Sequence, residues 1–88
     1  MANGTNGAAA GPRPIHVIAG DIYKAWGPKV NFAAKPYLSA MLSMNSAKDD
    51  YGADSGTSII LYFLSNARTF TGPAAKALKA ELKAALKG

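Results

Sequence analysis

The chain has no cysteine and a single histidine. The first absence excludes a disulfide framework and any thiolate-bound zinc, and the second leaves too little imidazole for a nitrogen-based metal centre. Long apolar runs are missing as well. The longest, IILYFL at 59–64, is far shorter than the ~20 residues that a membrane-spanning helix needs. The N-terminus MANGTNGAAAGPRP lacks the basic start and apolar stretch of an export signal. The expectation is a soluble, cytoplasmic protein without membrane contact, metal or cofactor. With 88 residues there is room for one domain and one modest core, because a chain this size buries about 60 to 65% of its unfolded surface. Stability then rests on packing, including packing between copies.

What is present is a surplus of positive charge, unevenly placed. Of the net charge of +5, residues 1–65 carry +1 and residues 66–88 carry +4, from Arg68, Lys76, Lys79, Lys83 and Lys87 against Glu81. Residues 1–13 hold Gly, Ala, Asn, Thr and Pro with nothing to bury, so they are expected to form a disordered tail ahead of one helical domain at 14–88.

Within that domain, apolar residues recur with helical spacing. In PIHVIAGDIYKAW, the residues Ile15, Ile18, Ala19, Ile22, Tyr23 and Trp26 share one arc, with Pro14 suited to a first turn and Gly27-Pro28 closing the segment. NFAAKPYLSAMLSMN gathers Ala34, Tyr37, Leu38, Met41 and Met44 on one side, although Pro36 leaves the start of this second helix open. The third segment, SIILYFLSN, is apolar all round, as in a central helix packed on several sides or one with a side reserved for a partner. A buried strand competes for IILYFL, but nothing else in the chain offers a strand to pair with it. TGPAAKALKAELKAALKG has a Thr cap, Gly-Pro at its start and strong helix formers thereafter. Its apolar face is Ala75, Leu78, Leu82, Ala85 and Leu86, and Lys76, Lys79, Lys83 and Lys87 fall within roughly an 80° arc beside it at 100° per residue. The expected fold is all-α, a compact four-helix domain with the third helix at its centre.

The segments NFAAKPYLSAM, DSGTSIILYFLSNA and TGPAAKALKAELKA resemble a group of small uncharacterised proteins encoded by tailed phages of actinobacteria, over roughly residues 15 to 86. That resemblance implies a phage accessory protein acting in the cytoplasm of the infected cell. It brings no activity, cofactor or catalytic residue with it.

Candidate sites are few. Asp49, Asp50 and Asp54 precede the apolar run, but their spacing does not reproduce the alternating ligands and terminal Glu of a calcium-binding EF-hand loop. A phosphate cradle at the same helix start would be opposed by the three carboxylates. They read as a solvated turn in which Asp54 or Ser55 caps the third helix, with an acidic surface open to a partner. His16 falls on the polar side of the first helix without a second imidazole or thiol. Ser39, Ser43 and Ser58 lack a nucleophile elbow and a neighbouring base. No catalytic constellation results, and Met41, Met44, Tyr62, Phe63 and Trp26 read as core, with some of the aromatics available to an interface. The lysine stripe with Arg68 is a candidate contact for phosphates or for an acidic protein, beside the plainer reading of a solvated face. The third and fourth helices, joined by a short turn at Ala67–Phe70, have the outline of a helix-turn-helix, yet AAKALKAELK offers no Arg, Asn or Gln to read bases. The leading expectation is a non-enzymatic module that binds a host or phage protein or assembles as a homodimer. The alternative is a small basic nucleic-acid-binding protein.

Overall fold

Each of the four periodic segments folds as a helix in the computed structural model, which describes residues 13–51 and 54–87. Of the tail expected at 1–13, residues 1–12 lie outside the described residues, and Arg13 is corrected to an ordered residue, its guanidinium donating to Asp21 and Glu81. Helix α1, Ile15–Trp26, buries Ile15, Ile18, Ala19, Ile22 and Trp26, the arc read from the sequence. It ends at Gly27, whose φ of 61° is a left-handed conformation that suits glycine, and a 3-10 turn at Gly27–Lys29 follows. Helix α2 is Lys35–Met41, with Pro36 in its first turn, where the missing N–H costs no hydrogen bond. Ahead of it, the Asn31 carboxamide accepts from the Ala34 amide at 2.8 Å and donates to the Asn66 carbonyl at 2.7 Å. This ties the start of α2 to the end of the third helix.

The polar connection between α2 and the third helix contains more order than its composition promises. Strands β1, Asp50–Tyr51, and β2, Asp54–Ser55, pair antiparallel with Asp50 opposite Ser55 and Tyr51 opposite Asp54. Helix α3, Gly56–Ser65, begins directly after β2, and Ser55 is its cap, the Oγ accepting from the Ser58 amide at 3.1 Å. Helix α4, Pro73–Lys87, buries Ala75, Leu78, Leu82 and Ala85.

Contacts between ends give the topology. Met44 and Asn45, just past α2, meet the start of α1. Trp26 at the end of α1 meets Phe63 near the end of α3 and Phe70 ahead of α4, while Arg13 reaches Glu81 well along α4. The helices therefore alternate up and down, with α1 packed against α2 and α4, and α3 against α2 and α4. No helix sits at the centre. The expectation that α3 sits at the centre is corrected: Ile59, Ile60 and Phe63 are buried, whereas Leu61 and Tyr62 are each 49% exposed. A ring of four helices closes its core with one face of each, so the apolar residues on the outer arc of α3 are surplus to that core.

The aromatic junction fastens the far end of the ring. The Trp26 ring stacks on Phe70 at 4.8 Å between centroids and meets the edge of Phe63 at 6.1 Å. Replacing Phe63 with Ala is expected to cost about 3 to 5 kcal/mol, whereas Leu61→Ala on the outer arc costs less than about 1 kcal/mol. Urea denaturation of both variants checks the ordering, and equal losses would refute the assignment of inner and outer arcs.

Candidate interaction surfaces

The structure divides the acidic trio. Asp49 turns inward on its own loop, its Oδ2 accepting from the amides of Asn45 at 2.7 Å and Ser46 at 3.1 Å. The Asn45 amide first, then that of Ser46, holds its carboxyl below the usual carboxylate range. Its backbone carbonyl accepts from the Gly56 amide at 2.6 Å. Asp49 is thus a loop-forming residue, and the outward acidic surface reduces to Asp50 and Asp54, both exposed. Among the described residues, no three His, Asp or Glu side chains gather as a metal site would require.

The basic set is divided too. Lys79 folds back on the connection before α4, donating from Nζ to the Phe70 carbonyl at 2.6 Å and lying 5.7 Å from the Phe70 ring centroid. Desolvation there, and secondarily the charge of Lys83, lowers its pKa. Lys76, Lys83 and Lys87 are exposed along α4. Arg68 does not join them: it lines a shallow groove with Phe32, Ser65 and Thr69 on the side of α2 and α3. Seven residues, 66–72, separate α3 from α4, against three to four in a helix-turn-helix.

Sequence patterning did not single out the surface that the structure makes most distinctive. Phe32 is 94% exposed at the turn before α2. It shares its groove with Ser65, and Leu61 lies one turn back along α3 from Ser65, whose Oγ donates to the Leu61 carbonyl at 3.0 Å. Tyr62 beside it packs on Tyr37 of α2, ring centroids 5.4 Å apart. Phe32, Leu61, Tyr62 and the half-buried Tyr37 together form an aromatic-rich outer face across α2 and α3. The absence of a polar face in IILYFL was the available signal for Leu61 and Tyr62. Phe32 sits in an aperiodic turn and gave none.

The remaining candidates take structural partners. The His16 amide and Nδ1 both face the Met44 carbonyl, at 2.8 and 3.1 Å, and the Ile15 amide donates to the Asn45 carbonyl at 3.0 Å. These contacts satisfy the first amides of α1, where Pro14 supplies no side-chain cap. Ser58 Oγ accepts from Ser55 Oγ at 2.9 Å, and Ser39 Oγ pairs with the Tyr23 hydroxyl at 3.3 Å. No helix among the described residues is long and apolar enough to cross a membrane. A scan against protein-family models and searches of curated proteins and of solved structures find no match to this chain.

The Asp49 loop carries a pH signature. Because its folded pKa is depressed, its contribution to stability is present above the unfolded value of about 4 and is lost as pH falls through the lower folded value. Thermal melts are expected to show Asp49→Ala lowering the midpoint at neutral pH while flattening its decline below about pH 4. A variant curve parallel to that of the parent at all pH values would overturn the role.

Proposed function

We propose that the protein is a non-enzymatic protein-interaction module that binds through the outer face of α2 and α3, serving as a phage accessory protein in the infected host cell, the setting its sequence resemblance implies. The observation that carries this reading is the exposure of three large apolar side chains, Leu61 and Tyr62 on α3 and Phe32 in the turn before α2. A domain this small gains by burying such a surface against another protein, and aromatic residues are the usual anchors of that contact. Affinity capture with the full chain, compared with a Leu61→Ser, Tyr62→Ser double variant, tests it. Proteins or copies retained by the parent are expected to be lost with the double variant and kept with Lys83→Gln, Lys87→Gln. Retention that ignores the α3 substitutions would refute the assignment.

A second reading, nucleic-acid binding by α4, is favoured by the exposure of Lys76, Lys83 and Lys87 on one side of a helix. Lysines one to two turns apart suit a phosphate backbone and supply no base discrimination. It predicts sequence-indifferent binding at low salt that falls about tenfold in Lys76→Gln, Lys83→Gln and steeply with added salt. Fluorescence anisotropy with duplex and single-stranded DNA measures this, and unchanged affinity in the variant removes α4 from such a role.

A further inference from the structure

The order of residues along the outer arc of α3 has a symmetry of its own. Leu61 and Tyr62 occupy the middle. Ser58 precedes Leu61 by three residues and Ser65 follows Tyr62 by three, so small hydroxyl side chains flank the apolar pair on both sides. Beyond them, Asp54 stands seven residues before Leu61 and Arg68 seven residues after it. Both are exposed, Asp54 just ahead of the Ser55 cap and Arg68 just past the helix end. At the acidic end Asp50 is also exposed, in register opposite Ser55, and at the basic end Lys35 begins the antiparallel α2. The face therefore runs from negative, through small and apolar, to small and positive.

We infer that the partner of this face is a second copy of the chain, docked about a two-fold axis that passes beside Leu61 so that the two α3 helices lie antiparallel. The inference rests on the reading of the α2/α3 face as an interaction surface and gives that surface its occupant. A two-fold interface brings a patch against itself, so it needs a surface complementary to its own reverse. This face meets that condition. Reversal about Leu61 sets the end of each copy that carries Asp54, ahead of the α3 cap, against the end of the other that carries Arg68, past the α3 terminus. Leu61 and Tyr62 meet their counterparts, and Ser58 and Ser65 let the helices approach closely. Phe32, beside Arg68 and Ser65, then covers the start of α3 in the second copy. A parallel arrangement would instead place Asp54 beside Asp54 and Arg68 beside Arg68, and like charges in register disfavour it.

Charge exchange on the full chain tests the arrangement by analytical ultracentrifugation and native mass spectrometry. The parent is expected to dimerise, and Asp54→Arg and Arg68→Asp, each alone, to weaken self-association about tenfold or more, since each sets like charges together at both ends. Mixing the two variants is expected to restore dimerisation as a heterodimer, in which both opposite-charge contacts return. Both substitutions are at exposed sites, and unchanged circular dichroism confirms the fold is intact. A parent that stays monomeric at about 0.5 mM, where even a weak complex with a Kd near 100 μM would be mostly paired, overturns the inference. So does a mixture that associates no better than either variant. If the parent is monomeric but capture of another protein still depends on Leu61 and Tyr62, the inference fails and the interaction reading stands. If capture is indifferent to those residues as well, both fail.

Discussion

The fold depends on one close approach of backbone to backbone. Gly56 opens α3 against the loop that follows α2, and a β-carbon at that position would lie 2.7 Å from the Asp49 carbonyl oxygen, 2.8 Å from that of Ala47 and 2.8 Å from the Met44 methyl. Only a residue without a side chain fits there. The same loop supplies the Met44 and Asn45 carbonyls that satisfy the start of α1, and the Thr57 hydroxyl donates to the Ala47 carbonyl at 3.1 Å. Residues 44–49 thus serve the N-termini of two helices at once. Asp49 holds the loop in the shape that lets them do so, and the short β1–β2 ribbon delivers the chain to Gly56.

At the opposite end of the ring, the polar ties are fewer and aromatic packing takes over. Arg13 adds a lateral strap: its Nε and Nη2 donate to the two Glu81 carboxylate oxygens at 2.8 and 2.7 Å, and Nη1 donates to Asp21 at 2.8 Å. Glu81 first, then Asp21, keeps the guanidinium protonated more firmly than usual. All three side chains are partly exposed, so the strap adds about 1 kcal/mol or less and weakens with salt. Its effect is to set α1 and α4 in register.

Periodicity made the inner faces of α1, α2 and α4 legible, since Ile15, Ile18, Leu38, Met41, Leu78 and Leu82 repeat at the spacing that burial requires. Pro14 marked the start of α1 and Ser55 was one of the two residues expected to cap α3, whereas Pro36 left the start of α2 open, because a proline fits a first turn as well as a kink. Periodicity is silent where a helix has no polar side, which is why Leu61 and Phe63 looked equivalent and only tertiary packing separated them. Charge counting had the same blind spot. Asp49 and Lys79 looked like solvated members of an acidic and a basic group, because nothing local announces that a carboxylate will meet amides three and four residues back, or that a lysine will fold onto a carbonyl nine residues away.

The aromatic junction at the end of α1 gives the molecule a built-in optical reporter. Trp26 is the only tryptophan, 6% exposed, and its indole touches residues from α3 and from the connection into α4. Its emission wavelength follows the water around one ring that three separate parts of the chain must assemble to exclude. The aromatic residues on the outer face are tyrosine and phenylalanine, so an event there leaves the indole signal to the interior. Selective excitation near the red edge of the absorption band therefore reads the integrity of the helical ring independently of whatever occupies its surface.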